Sequence, residues 1–557
     1  MRLISTRGGG DGVPHPAGEA PSTWSFTEAF FLGQAPDGGL FVPASIPPLP
    51  EDDRAALAGL TFPERAFAVA RHFLSGEVPD DVLRAVVLDA LNFPVPLREI
   101  EPGVYMLELF HGPTHAFKDV GARFMARMMS ALAAAEPSRC PVEPSQRPAG
   151  PAPAAAAPPV TILTATSGDT GGAVAHAFHG VSGVRVLVFF PIGKISPRQE
   201  AQITTLGGNI TAVAVRGTFD DCQRLVRQAF ADPTLNARLS LTSANSVNIG
   251  RLLPQTFYYV HAWAELMGID RSVRAAAAGS RGTATGSRSA APGSRATAPG
   301  STQTAHGPVP AIPDPELVVS VPSGNFGNLA AGLIAQRALG MSRTRFVAAT
   351  NRNSVVPEYL DGHGFHTRPS VETISSAMDV GDPSNFRRIR HLFGAERDGS
   401  DFRGGQARPD GHAAPVPSAL RHVLSGSAWS DDETRACIRD LWRRRGIVID
   451  PHTAVGLLGL RRELERWPEA RGVVLATAHP AKFAEIVEPL IGEPLPVPPG
   501  IARVMDRPRH SVEIAPSLDA VRELLGEVYL AQKSKENMTF RKADITCFSP
   551  STNATAT

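Results

Sequence analysis

Residues 160–181, VTILTATSGDTGGAVAHAFHGV, hold the pattern on which the fold turns. A β-branched apolar run, VTILTAT (160–166), meets a turn of hydroxyls and glycines, and GGAVAHAFHGV continues with a helical rhythm. The same unit recurs along the chain. VRVLVFFP (184–191) precedes PRQEAQITTLG, ITAVAVRG (210–217) precedes FDDCQRLVRQAFAD, and LVVSVPSG (317–324) precedes GNLAAGLIAQRALG. RFVAATN (345–351) and GVVLATAHP (472–480) extend the series. Strands bounded by Gly or Ser and followed by helices imply an α/β protein with parallel sheets. In such folds ligands collect at the carboxyl ends of the strands.

The rest of the composition narrows the class. The chain has 557 residues, 43% hydrophobic and 20% charged, with a formal net charge of +1. That length allows several domains with substantial cores. A near-neutral balance lacks the basic stripe that nucleic acid requires, so no nucleic-acid partner is expected. No apolar run approaches the ~18 residues that span a membrane, and the basic start MRLISTRGGGDG has no apolar segment behind it to make a secretory signal. Cys140, Cys222, Cys437 and Cys547 are far apart and form no CxxC pair, which fits a reduced, cytoplasmic setting without disulfides or a metal cluster. Residues 136–159 and 272–313, rich in Pro, Ala, Gly and Ser, cannot bury enough apolar surface to order themselves and are expected to be disordered insertions. A loop at 397–415 is similar, and 531–557 is expected to be a flexible tail.

Five strand ends and turns carry candidate chemistry. In TATSGDTGG (164–172), Thr166, Ser167, Gly168, Asp169 and Thr170 lead from strand to helix and place backbone N–H groups at one spot, an anion site. Capping by Ser167, Asp169 or Thr170 is the alternative, and the Asp169 carboxylate would repel an anion unless it is turned away or neutralised. In VPSGNFGNLAAG (321–332), Gly324 and Gly327 allow close backbone approach, with Asn325 and Asn328 beside them; a phosphate fits this helix start, and the absence of GxGxxG or GK[ST] disfavours a dinucleotide or ATP. In SANSVNIGRLL (243–253), Asn245 and Ser246 read as the cap of a helix bearing Arg251, whose fork matches phosphate or simply pairs with a carboxylate. In LATAHPAKF (475–483), Thr477 follows a strand and His479-Pro480 turns the chain, while Lys482 reads as a helix-surface residue. DPHTAVG (450–456) reads as a helix start capped by Asp450 and carries no assigned chemistry.

The last is HGPTHAFKDVGARFM (111–125), where Lys118 sits among Ala116, Phe117 and Phe124 at a helix start. Either it snorkels to solvent and pairs with Asp119, or a partly dry setting and the helix dipole leave it neutral. A neutral lysine can join an aldehyde such as that of pyridoxal phosphate. An imine-forming lysine, a phosphate cradle, a lone hydroxyl at another strand end and a second anion loop are together what a pyridoxal-phosphate site needs. A hydroxyl rather than a carboxylate facing the pyridine nitrogen would leave that nitrogen largely unprotonated, unlike aminotransferase sites.

HGPTHAFKDVG, LTATSGDTGG, FDDCQRLV, SANSVNIGRL, VPSGNFGN and TAHPAKF, in this order, resemble the threonine synthase family, and STRGG and SFTEAFFLGQAPDGGLFVP (25–43) resemble its bacterial and fungal branch. The resemblance runs from about residue 4 to 495 and implies the type II pyridoxal-phosphate (tryptophan synthase β-like) fold, two parallel-sheet α/β domains plus an N-terminal domain. It implies an N-terminal unit at 1–100, a large cofactor-binding domain from 101–135 and 314–495, and a smaller α/β domain at 160–268. It further implies that Lys118 is the Schiff-base lysine, that Gly324, Asn325, Phe326 and Asn328 hold the cofactor phosphate, and that Thr477 faces the pyridine nitrogen. Thr166, Ser167, Asp169 and Thr170 match the loop receiving the substrate carboxylate, and Asn245, Ser246 and Arg251 resemble a segment gripping substrate phosphate. The reaction so implied is O-phospho-L-homoserine and water to L-threonine and phosphate, by γ-elimination and β-addition in a monomer or homodimer. The plant branch's S-adenosylmethionine regulation is not expected. The rival activities are a type II serine or threonine dehydratase, and a silent synthase-like protein that binds phosphorylated ligands.

Overall fold

The computed structural model describes residues 1–7, 23–135, 159–236, 238–281, 316–394 and 416–526. Thirteen strands form three sheets among these residues. Near the amino end β1 (Leu3–Ser5) and β2 (Phe41–Pro43) pair antiparallel. The hairpin β3 (Leu97–Glu101) and β4 (Val104–Glu108) opens the large sheet. Then come β5 (Val160–Ala165), β6 (Val184–Pro191), β7 (Ile210–Val215) and β8 (Ser240–Ser243), followed by β9 (Leu317–Pro322), β10 (Thr344–Thr350), β11 (Leu424–Ala428), β12 (Arg471–Ala476) and β13 (Val512–Ile514).

The large sheet has the order β11-β10-β9-β12-β4-β3, parallel except for β3. The second sheet, β13-β7-β6-β5-β8, is parallel throughout. Every residue of β5 and of β9 is buried, so VTILTA and LVVSVP read as continuous apolar runs because helices cover both faces. Strand order reverses between β9 and β12 in one sheet and between β5 and β8 in the other. Such reversals open a crevice at the carboxyl ends of the strands. The turns after all four strands carry candidate residues, and the two crevices share one pocket.

The helices follow their local signals. Phe219–Ala231 opens with a capping box between Thr218 and Asp221, and Pro197–Thr204 with one between Ser196 and Gln199. Asp450 caps Pro451–Arg466 by accepting from the Thr453 and His452 N–H groups. Asn245 and Ser246 are not the cap of the Arg251 helix. That helix, Ile249–Leu252, starts later, and the Asn248 side chain caps it by accepting from Gly250 N at 2.8 Å.

The helix Thr256–Arg281 runs past residue 272, so the first part of the 272–313 stretch is helical rather than an unstructured loop. The run Ala275–Ala278 explains this, because alanine has the highest helix propensity. The rest of that stretch, nearly all of 136–159, the 397–415 loop and the 531–557 tail lie outside the described residues. Beyond residue 495 the chain forms a helix, Pro499–Met505, and β13, which extends the edge of the second sheet beside β7. No described helix is long and apolar enough to cross a membrane, and no described group of His, Cys, Asp and Glu could hold a metal ion.

Candidate active site

The lysine loop lies across the end of β12. Ala116 and Ala478 form an isolated antiparallel bridge, Phe117 N donates to Thr477 O at 2.9 Å, and His479 N donates to His115 O at 3.0 Å. The pairing brings Lys118, first residue of the helix Lys118–Ala135, into one pocket with Thr477. His115 has φ 58, a left-handed conformation that non-glycine residues rarely adopt. Phe326 (φ 61), in the glycine turn after β9, is the other such residue described. Phe326 lines the pocket and His115 lies three residues before Lys118, so both irregular backbones are in segments that build the site, where such strain is typically held by the surroundings.

All the candidate residues except Thr166 line this pocket. Thr166 is buried, and its hydroxyl accepts from Gly168 N at 2.9 Å and Gly171 N at 2.7 Å, so it braces the anion loop from within. The loop caps its helix Asp169–Phe178 through Gly168 without a side-chain cap, which leaves Ser167 and Thr170 facing the pocket.

Lys118 keeps 16% of its side chain exposed, with Nζ 4.6 Å from the centre of the Phe117 ring and 3.7 Å from Asp169 Oδ2. It does not pair with Asp119, whose carboxylate accepts from Thr114 N and the Thr114 hydroxyl. Burial lowers the Lys118 pKa most; the Asp169 charge acts against that, and Lys482 and Arg251 add to the lowering. More neutral amine is present than on a solvated lysine.

Lys482 is not on a helix surface. It is fully buried, with Nζ 2.6 Å from Asp169 Oδ1, and it donates to Thr114 O at 2.9 Å. The short helical turn Pro480–Phe483 points it inward. For Asp169 burial works to raise the carboxyl pKa, but Lys482 and then Lys118 overcome it and hold the group well below the usual carboxylate range. Asp169 is thus an ionised carboxylate already neutralised from the side of the large sheet.

The turn after β9 is built for a close guest. A Cβ on Gly324 would come within 2.8 Å of Ala377 O and Met378 Cα, so only glycine fits there. Asn325 uses its side chain structurally, accepting from Ser384 N and Oγ and donating to Ser246 Oγ. Phe326 packs edge-on against Phe386. Asn328 Oδ1 accepts from the hydroxyls of Tyr258 and Tyr259, while its buried Nδ2 has no partner. That donor, at the first turn of the helix Gly327–Leu339, asks for an acceptor such as a phosphate oxygen.

Across the pocket Arg251 is only 4% exposed; Nη1 donates to Ala244 O, Nε has no partner, and no described carboxylate forms an ion pair with it. Burial pulls its pKa to about 10, still cationic at neutral pH. A buried cation without a carboxylate suits an anionic ligand. Asn245 donates to Ala165 O, and its Oδ1 is likewise unpartnered. Ser246 Oγ accepts from both Asn325 and Asn385. The Thr477 side chain faces the pocket with no described partner for its hydroxyl.

His452, given no role by the sequence reading, also lines the pocket. Ala377 N donates to its Nε2 at 3.1 Å, so Nδ1 carries the proton and donates to Asp450 Oδ2 at 2.6 Å. The D-P-H order was its only sequence trace. Gln223 and Gln255 reach the pocket from the helices that follow β7 and β8 and had no signal at all.

These groups fit pyridoxal phosphate: a mostly buried lysine, a glycine turn with a free amide donor, and a lone hydroxyl at the end of β12. The comparisons with known proteins agree. Residues 17–91 match the family "Threonine synthase N terminus", 91–292 match "Pyridoxal-phosphate dependent enzyme", and 453–525 match "Threonine synthase, C-terminal". A threonine synthase of Escherichia coli is 38% identical over 501 residues, 90% of this chain and 96% of that protein. One of Schizosaccharomyces pombe is 31% identical, covering 87% and 88%. The crystal structure of the E. coli threonine synthase superposes with a TM-score of 0.72 at 36% identity, over 95% of this chain and 100% of that one. The pyridoxal-phosphate-bound threonine synthase from Brucella melitensis gives 0.73 at 32%, over 94% and 98%. With a pyridoxal-phosphate site at the meeting of two parallel sheets and relatives matched over nearly their whole length, the chain belongs to the threonine synthase family of type II pyridoxal-phosphate-dependent lyases.

Proposed function

We propose that the protein converts O-phospho-L-homoserine and water to L-threonine and phosphate. The observation that carries this reading is Arg251, a buried cation with no ion pair to a described carboxylate, in the same pocket as Lys118 but following β8 of the second sheet, whereas the glycine turn follows β9 of the large one. Such a pocket has two places for phosphate, one for a cofactor and one for a substrate. A dehydratase acting on an unphosphorylated amino acid has no use for the second.

Each residue has a duty in this scheme. Bound pyridoxal phosphate supplies an aldehyde and a ring system that accepts electron pairs as protons leave carbon. Lys118 is its attachment point, and once released its amine removes and returns protons at the α and β carbons; the dry setting that lowers its pKa keeps it able to accept them. The Gly324–Asn328 turn holds the cofactor phosphate, with Asn328 Nδ2 as side-chain donor. Thr477 offers its hydroxyl to the ring nitrogen. Ser167, Thr170 and the backbone of their loop receive the substrate carboxylate, which tolerates the nearby Asp169 because Lys482 neutralises it. Arg251, with Asn245 beside it, grips the γ-phosphate and stabilises it as it leaves. Ser246 acts mainly by holding Asn325 and Asn385 in place.

The test is turnover of O-phosphohomoserine in water labelled with heavy oxygen. Departure of phosphate by carbon–oxygen cleavage followed by water addition puts the label in the threonine hydroxyl and none in phosphate. Label in phosphate with homoserine as co-product, or a 2-oxo acid in place of threonine, would contradict the reading.

A further inference from the structure

Lys482 lies outside the pocket lining, yet it is bound to the residue that faces Lys118. Its Nζ bonds Asp169 Oδ1 at 2.6 Å, and the other oxygen of the same carboxylate stands 3.7 Å from Lys118 Nζ. Gln199 Nε2 donates to Asp169 Oδ1 at 2.9 Å, so the carboxylate is fixed from two directions. The second Lys482 bond, to Thr114 O, reaches the lysine loop itself, and Gln202 Nε2 shares that carbonyl at 3.1 Å. The turn carrying Lys482 is also held by the start of the helix Pro197–Thr204. Ser196 Oγ donates to Lys482 O at 3.1 Å, and the Arg198 guanidinium donates to Ala481 O. Lys482 follows β12 of the large sheet, Asp169 follows β5 of the second, and their bond spans the two.

We propose that Lys482 is a positioning residue of the reaction: bound to both Asp169 and Thr114, it fixes and neutralises the carboxylate facing Lys118 and so sets the charge that Lys118 experiences. A buried ion pair adds little net stability over an apolar pair of similar shape, so its presence here points to a task other than stability. Two demands meet at Asp169. A bare carboxylate would hold Lys118 as an ammonium and repel a substrate carboxylate arriving at Ser167 and Thr170, whereas no carboxylate would leave the lysine loop without its partner on the second sheet. An ammonium bound to the far oxygen meets both. The charged groups facing Lys118 are Asp169, Lys482 and Arg251, and His452 also acts on Asp169.

The inference rests on the reading of Lys118 as the cofactor's attachment point, but not on the identity of the substrate. It is tested in the full-length holoprotein by titrating the visible absorbance of the lysine-bound cofactor against pH, without substrate. Replacing Lys482 by methionine leaves Asp169 uncompensated, so the midpoint moves up by about 1 pH unit or more, as an exposed opposite charge at close range does. Lys482→Arg keeps the wild-type midpoint, and Lys482→Met with Asp169→Asn returns it toward wild type, since the two charges act in opposite senses. Lys482→Gln, which retains a donor to Asp169 and Thr114, gives the same upward move should the methionine variant fail to fold. Weaker cofactor retention with an unmoved midpoint in both neutral variants would mean a purely structural role and overturn the inference. A wild-type protein with no such absorbance would overturn the Lys118 reading and the inference with it; a wild-type band that titrates while threonine formation fails would contradict the substrate alone.

Discussion

Asn325 Nδ2 donates to Ser246 Oγ at 3.0 Å, and this bond ties the turn after β9 of the large sheet to the turn after β8 of the second. The same hydroxyl accepts from Asn385 Nδ2 at 2.9 Å, and Arg388, fully buried, donates to the backbone oxygens of Ser246 and Val247. The cofactor turn and the substrate-phosphate turn are therefore one hydrogen-bonded unit.

Ser246→Ala strands two amide donors in a partly buried setting. The expected cost is about 1–3 kcal/mol of stability, with weaker retention of pyridoxal phosphate although Ser246 belongs to the segment assigned to the substrate phosphate. Urea unfolding and equilibrium dialysis of the cofactor measure both. Unchanged cofactor affinity would mean that the two turns move independently.

Arg251→Ala removes the buried cation. A lost charge-assisted hydrogen bond of about 1.5–3 kcal/mol corresponds to a fall of roughly 10–100-fold in kcat/KM for O-phosphohomoserine. Turnover of an unphosphorylated hydroxy amino acid, where detectable, should be unaffected. Steady-state kinetics on both substrates distinguish this from a dehydratase, which would be indifferent to the change with either.

Asn328 bears on the cofactor alone. Its Oδ1 is held by two tyrosine hydroxyls, so Asn328→Asp places a carboxylate where a phosphate acceptor is expected. Retention of pyridoxal phosphate, followed by dialysis, falls by roughly 10-fold or more. An unchanged affinity would move the phosphate elsewhere.

The strand–turn–helix repeats were legible because β5 and β9 are buried on both faces and leave no polar alternation to confuse with loops. Lys118, Thr477 and the glycine turn were legible because parallel sheets bring strand ends together, and each carries residue types that are costly or unusual there. Lys482 was not. Its burial depends on Asp169 and Thr114, hundreds of residues earlier in the chain, and nothing within TAHPAKF reports that contact. The cap at Asn248 rather than Asn245 was hidden for a local reason, since SANSVN offers several side chains able to cap and only the chain path selects one. The left-handed backbone of Phe326 had no trace either, since a bulky aromatic rarely adopts it, and the enrichment of histidine in that conformation is too weak to single out His115.

Asp169 also sets a pH dependence of stability. Its folded pKa is depressed, so the folded state binds fewer protons than the unfolded state in the acid range. Its contribution is present above the unfolded value of about 4 and is lost as pH falls toward the folded value. Without Lys482 the depression is smaller, so in Lys482→Met less stability is lost across the acid range and the loss is complete at a higher pH than in wild type. Denaturant unfolding across the acid range reads this directly; identical acid profiles for the two proteins would contradict it.

The most direct test of the whole account is to assay phosphate and threonine in the same tubes, with O-phosphohomoserine as substrate and wild type beside Lys118→Ala. The account predicts equal release of both products by wild type and neither by the variant. Threonine formation that survives loss of Lys118, or phosphate released by wild type without threonine, would contradict it.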